Sequence, residues 1–159
     1  MDRDRSLESR VAEYGGLYGN CAQASFRALH DQFELEGDAT LLVGALRFLP
    51  GVGQTYETCG AVSGCLAAFG LSCRRDEKER VQSRWTLARE FCVAVREQLG
   101  STRCGEIMEL KNGRRFDLLD PVQMQQYVET GAGNKCGEVV QTAVRIAATL
   151  FERKANRKP

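Results

Sequence analysis

The sequence predicts an all-α protein, a single-domain helical bundle of about six or seven helices. Three observations predict it. From Asp76 to Leu99 the apolar residues Val81, Trp85, Ala88, Phe91, Cys92, Val95 and Leu99 recur at spacings of three and four among charges. That is the period of a long helix with one face toward a core. No stretch alternates apolar and polar residues as a half-buried strand does. The breaks are short and carry Gly, Pro or Asn, as the links of helix bundles do. With 159 residues and 43% hydrophobic content, the chain can bury a core without disulfide staples. One domain over residues 1–159 is therefore expected.

The elements follow in order. Met1 to Arg5 has mixed charge and leads into no apolar segment, and no later stretch is apolar enough to span a bilayer, so a soluble, cytoplasmic protein is expected. Gly15, Gly16 and Gly19 are expected to break the chain before the first main helix, Asn20 to Phe33, with Asn20 as its cap. A second helix runs from Asp38 to Phe48, and Pro50-Gly51-Val52-Gly53 separates it from a third, Thr58 to Leu71. After the long fourth helix, Ser101 or Thr102 opens a fifth that runs to Leu110, followed by the basic loop Lys111-Asn112-Gly113-Arg114-Arg115. Asp120 opens a sixth to Thr130, and Gly131-Ala132-Gly133 separates it from the last, Asn134 to Lys154. The basic tail, 153–159, is expected to fray.

Charge narrows the partners. Lys plus Arg number 22 against 21 for Asp plus Glu, a net charge of +1, so no global field draws the chain to nucleic acid or an anionic membrane. A redox partner protein and a homodimer are the associations to expect, the second because apolar helix surface is plentiful. Lys111, Arg114 and Arg115 could dock an acidic partner, although a solvated charge run explains them as well. Gly51-Val52-Gly53 is too short for a phosphate loop, so no nucleotide site is expected.

Seven cysteines are the unusual feature. An odd count with no visible secretion signal argues against a disulfide framework. There is no C-x-x-C, which removes the zinc-ribbon chelate, the thioredoxin-type pair and the c-type haem attachment. Any site must draw on distant segments. Asn20 before Cys21, Thr58 before Cys59, Ser101 or Thr102 before Cys104 and Asn134 before Cys136 place four thiols in the first turns of four helices. Free N–H groups and the positive end of the macrodipole lower a thiol pKa there, so all four are expected to ionise readily. Gly60, Gly105 and Gly137 follow three of them. A missing side chain lets a cofactor or another helix approach, which makes Gly60 a candidate member of the site. Cys65 and Cys92 read as core residues, and Cys73, beside Arg74 and Arg75, as a spare thiol.

Other residues are read as structural. His30, the sole histidine, is expected to be partly exposed on its helix and cannot build a multi-histidine metal site. Gly60, Ala61, Gly64 and Ala68 form a small-residue face that lets a second helix pack closely. Tyr14, Tyr18, Tyr56 and Phe26 could shield a cofactor or be ordinary core.

The residues Asn20-Cys21-Ala22-Gln23-Ala24, Cys59-Gly60-Ala61-Val62-Ser63-Gly64, Cys104-Gly105 and Cys136-Gly137 together resemble a family of redox-active proteins with four cysteines and a C-G-A-x-x-G motif, the C_GCAxxG_C_C type. The resemblance covers nearly the whole chain. It implies a small bacterial or archaeal redox protein similar in its cysteine arrangement to the iron–sulfur portion of split-Soret cytochromes. It carries over Cys21, Cys59, Cys104 and Cys136. No C-x-x-C-H is present, so haem is not implied.

The expected function is an iron–sulfur cluster, 4Fe–4S or 2Fe–2S, held by Cys21, Cys59, Cys104 and Cys136 and used in electron transfer or redox sensing. With all four corners held by cysteine, a carrier or accessory protein is expected rather than a catalyst. The alternative is a metal-free dithiol/disulfide oxidoreductase. Structural zinc and simple packing of the cysteines stand behind these two.

Overall fold

A computed structural model describes residues 6–73 and 81–156. Nine helices are defined among them: α1 (Leu7–Tyr18), α2 (Cys21–Gln32), α3 (Ala39–Ala45), α4 (Gly51–Gln54), α5 (Gly60–Ser72), α6 (Val81–Leu99), α7 (Cys104–Asn112), α8 (Pro121–Glu129) and α9 (Ala132–Asn156). The all-α class holds, and the count exceeds six or seven because α1 and the single turn α4 are added. The expected start of the long helix at Asp76 lies outside the described residues. No helix among the described residues is long and apolar enough to cross a membrane.

α2 is the central rod. It packs on α1, α3, α5 and α9, and nine of its twelve residues are buried. Asn20 caps it as expected, its side-chain oxygen accepting from the N–H groups of Ala22 and Gln23. The α2/α5 contact is close because small residues face each other. A Cβ on Gly64 would collide with Ser25 Oγ and the Ala22 carbonyl. The core continues through Phe26, Leu29, Val62, Phe69, Phe91, Val95, Ala143 and Val144, and the Phe69 ring stacks on Phe151 at 4.8 Å. A smaller cluster of Met108, Phe116 and Ala132, with Cys104 and Tyr127 against it, ties α7 and α8 to the start of α9.

Several expectations are corrected. Gly15 and Gly16 lie within α1, which ends only at Gly19 in the left-handed region (φ 56°). α1 holds because Val11 is buried and the Tyr14 hydroxyl donates to Asp31 at 2.5 Å. Trp85, placed on the apolar stripe, is 71% exposed, whereas Phe91, Val95 and Leu99 are buried. Trp85 points away from the core that the C-terminal half of the stripe meets. His30 is buried rather than partly exposed, with Nδ1 3.1 Å from Asp31 Oδ1. Of the tail expected to fray, 153–156 belong to α9, which continues to Asn156, with Arg153 paired to Glu90; 157–159 lie outside the described residues.

Candidate four-cysteine redox site

The four singled-out cysteines come together at one end of the bundle. Cys21 is the first residue of α2, Cys59 is the cap residue of α5 and Cys104 is the first residue of α7. Cys136 is different. α9 begins at Ala132, so Asn134 is not its cap and Cys136 sits in the second turn, facing the other three from the side of the helix. Two local assignments also shift. Thr58 does not cap α5, because it forms an isolated antiparallel bridge with Arg103. Arg103, rather than Ser101 or Thr102, precedes α7. The Ser101 hydroxyl instead donates to Glu106 at 2.5 Å and accepts from the Arg103 N–H.

The bridge joins two cysteine-bearing segments backbone to backbone. The Cys59 N–H donates to the Thr102 carbonyl at 2.9 Å, the Cys104 N–H to Glu57 at 2.6 Å, and the Gly105 N–H to Tyr56 at 3.1 Å. The loop between α3 and α5 is unusual where it meets this bridge. Gly51, Val52, Gly53, Gln54 and Tyr56 all have positive φ, and a β-branched residue such as Val52 is rarely found there. The loop is held against the site: a Cβ on Gly51 would lie 3.5 Å from Cys104 Sγ, and one on Gly105 would stand 2.8 Å from Tyr56 Cβ.

Gly60 has the clearest reason to be glycine. A Cβ there would collide with Cys21 Sγ and stand 3.0 Å from the Ala22 nitrogen and 3.1 Å from Pro50 Cα. The empty position lets the Cys21 sulfur reach Cys59. Gly137 has no such role, since a Cβ on it would meet nothing within 4 Å.

The expectation of four easily ionised thiols holds for one of them. Cys59 is lowered to about 7, first by the Cys21 thiol that donates to it, against burial, and then by the N–H groups of Ala61 and Val62. Cys21 is pushed well above the usual thiol value by its bond to Cys59, by burial and by the charges of Cys59, Cys136 and Cys104. Burial and the charges of Cys59 and Cys136 push Cys104 up to about 12. Cys136 is raised by burial, opposed by a hydrogen bond from Tyr127. Free N–H groups at a helix start lower Cys59 alone; the bond to Cys59 and burial raise Cys21, burial and neighbouring thiolate charge raise Cys104, and Cys136, in the second turn of α9, has no helix end to oppose its burial.

A small cleft opens beside these sulfurs. Cys59, Cys104 and Cys136 line it with Ile107, Met108, Val139 and Tyr127, and Lys111, Asn112 and Lys135 complete its wall. No carboxylate or histidine is among the lining residues. Among the described residues, no group of three or more His, Cys, Asp or Glu side chains is arranged to hold a single metal ion.

The other cysteines stay apart from the cleft. Cys65 is buried, and burial raises its thiol, as a core residue should. Cys92 is half-buried. Cys73 lies 3.9 Å from Lys154 Nζ at the end of α5. Of the aromatic residues considered as shields, Tyr14 bonds Asp31, Tyr14 and Tyr18 stack, Phe26 is core, and Tyr56 reaches the Cys104–Gly105 turn. Tyr127, absent from the sequence-derived candidates, is the tyrosine that lines the cleft beside Cys136. No motif or spacing pointed to it. In the basic loop, Arg115 pairs with Glu109 and the Arg114 guanidinium lies 4.6 Å from the Phe116 ring centre, while Lys111 belongs to the cleft.

Residues 19–150 match the model of the family described as "Putative redox-active protein (C_GCAxxG_C_C)". The chain belongs to this family. The match spans all four site cysteines, and in this family member the C-G-A-x-x-G segment is the cap and first turn of α5. No curated protein and no solved structure matches the chain.

Proposed function

We propose that the four-cysteine site holds an iron–sulfur cluster and exchanges electrons with a redox partner protein. The observation that carries this reading is the convergence of thiols from separate helices: Cys59, Cys104 and Cys136 line one cleft whose lining includes no carboxylate or histidine, and Cys21 lies against Cys59 behind it, close enough to all three for their charges to raise it. Sulfur-only donors suit iron–sulfur chemistry. A cluster separates its thiolates by its own width, so its ligands need not converge on a point as the ligands of one zinc ion do. The protonation pattern agrees with a cationic guest. Three of the four thiols resist ionisation in one another's company, and bound iron would offset that repulsion.

When bound, the cluster supplies a one-electron redox couple. The chain's own residues do the rest. Cys21, Cys59, Cys104 and Cys136 would hold it. The N–H groups of Ala61 and Val62 stabilise negative charge on the Cys59 sulfur, and Gly60 leaves the room that brings Cys21 into the set. Ile107, Met108 and Val139 keep water from the inner wall, while Lys111 and Lys135, both exposed, place positive charge beside an anionic centre.

A second reading rests on one specific contact, the hydrogen bond from Cys21 to Cys59. In a metal-free dithiol, the Cys59 thiolate attacks a partner disulfide and releases one partner thiolate. Cys21 then loses its proton and attacks the mixed disulfide, closing a Cys21–Cys59 bond and releasing the second. Two electrons pass to the partner and the protein is oxidised by two. Anaerobic purification with iron and sulfide analysis and visible absorption separates the readings. A brown protein containing both elements supports the cluster. A colourless protein in which Cys59 labels rapidly and oxidation closes a Cys21–Cys59 disulfide replaces it with the dithiol.

A further inference from the structure

Tyr127 packs against the Met108, Phe116 and Ala132 cluster and also reaches the site. No residue of α8 is buried, and Val122 and Val128 are each 64% exposed. Tyr127 is the α8 side chain that reaches the cleft. Its ring is fixed on two sides: the Phe116 ring stands edge-on at 5.6 Å, and Gly133 lies against it with a Cβ position 3.4 Å from Cε1. So held, the hydroxyl shares the cleft wall with the Cys136 thiol, within reach of a hydrogen bond to it. Cys136 is also the site thiol that lies farthest from a helix start, in the second turn of α9, where the ladder already uses the N–H groups that serve Cys59 in α5. The side-chain donor supplies what the helix end does not.

We propose that Tyr127 is a positioning residue: its hydroxyl donates a hydrogen bond to the Cys136 sulfur, fixes that side chain toward the cleft and stabilises the more negative, reduced state of the redox centre. The consequence for potential rests on the cluster reading; the hydrogen bond itself does not. A donor to a ligating sulfur draws charge off the cluster and raises its potential.

Tyr127→Phe keeps the ring against Phe116 and Gly133 and removes only the hydroxyl. In iron-reconstituted protein, the variant is expected to have a lower midpoint potential, with the oxidised-to-reduced ratio at fixed potential raised about tenfold, equivalent to about 59 mV for one electron. Its thermal midpoint and iron content should match the parent, which a purely structural role for the ring would also give. The potential is therefore the deciding readout. A cluster-bearing variant with unchanged potential overturns the inference. Metal-free reduced protein gives the second arm by proton NMR: a slowly exchanging Tyr127 hydroxyl proton with a cross-relaxation contact to the Cys136 β-protons, lost in Tyr127→Phe. If the parent takes up no iron and sulfide, the cluster reading fails and this proton decides the tyrosine's role alone. Its presence upholds the contact with Cys136, and its absence overturns it.

Discussion

Two glycines that follow cysteines in the same way have opposite surroundings. At Gly60 an added methyl would strike Cys21 Sγ with backbone close behind it, and overpacking of that kind costs about 1–3 kcal/mol. Gly60→Ala is expected to lower the melting temperature and to part Cys21 from Cys59. At Gly137, inside α9 and exposed, the methyl meets nothing, so Gly137→Ala is expected to raise stability by up to about 1 kcal/mol. Paired thermal melts check both signs. The repeated Cys-Gly pair was visible in the sequence; which glycine admits a neighbouring sulfur was not, because that depends on which helix lies opposite. The thiols make a second test at this scale. Cys59, lowered to about 7, should label with iodoacetamide along a pH curve centred near 7 in metal-free protein, while Cys104, raised to about 12, stays protonated throughout that range. The signs for stability are opposite. The contribution of Cys59 is fully present above its unfolded value of 9.0 and is lost as pH falls through about 7. Cys104, harder to ionise when folded, makes unfolding easier as pH rises beyond 9.0. Urea titrations of metal-free protein at a series of pH values check both.

Among the elements, caps were the most legible feature. Asn20 and Asp38 accept the N–H bonds that their side-chain chemistry promises. Asn20 also donates to the Arg47 carbonyl at 2.8 Å, fixing the end of α2 that carries Cys21. Asn20→Ala is expected to lose about 1 kcal/mol and to increase the labelling rate of Cys21 more than that of Cys65, measurable by denaturant titration and mass mapping. Where the caps misled, burial had overridden them. Asn134 is a good cap by type, yet the helix starts earlier because Ala132 packs against Met108 and Phe116, and Gly131 turns the chain with φ 69°. α1 is not legible in the sequence because Gly15 and Gly16 look like punctuation, whereas Val11 and the Tyr14–Asp31 bond hold them in a helix. A single-sequence pattern contains no information on such partners. The same limit explains Trp85, whose spacing fits a stripe with Phe91, Val95 and Leu99 but which the rest of the bundle leaves uncovered.

For the molecule as a whole, the seven cysteines divide by place. Four occupy one end, Cys65 fills the centre, and Cys73 and Cys92 lie elsewhere. Cys136→Ser is expected to remove most of the iron bound by reconstituted protein, whereas Cys92→Ser should retain it. Equal iron loss in the two variants, by metal analysis, would refute the assignment. The candidate site was largely readable from the chain because its chemistry rests on one scarce residue type at recognisable local positions. Tyr127 was not, since a tyrosine on a short, poorly buried helix carries no local mark of the sulfur it meets.

The backbone bridge between the segments before α5 and α7 bears on how the site is assembled. Because peptide hydrogen bonds join Cys59 to Thr102 and Cys104 to Glu57, the spacing of these two sulfur-bearing residues is set during folding, not by whatever the pocket later takes up. They form a preorganised jaw, with Cys21 and Cys136 brought to it by independently packed rods. Half of the donor set is ready in advance, so capture of a guest has fewer degrees of freedom left to freeze.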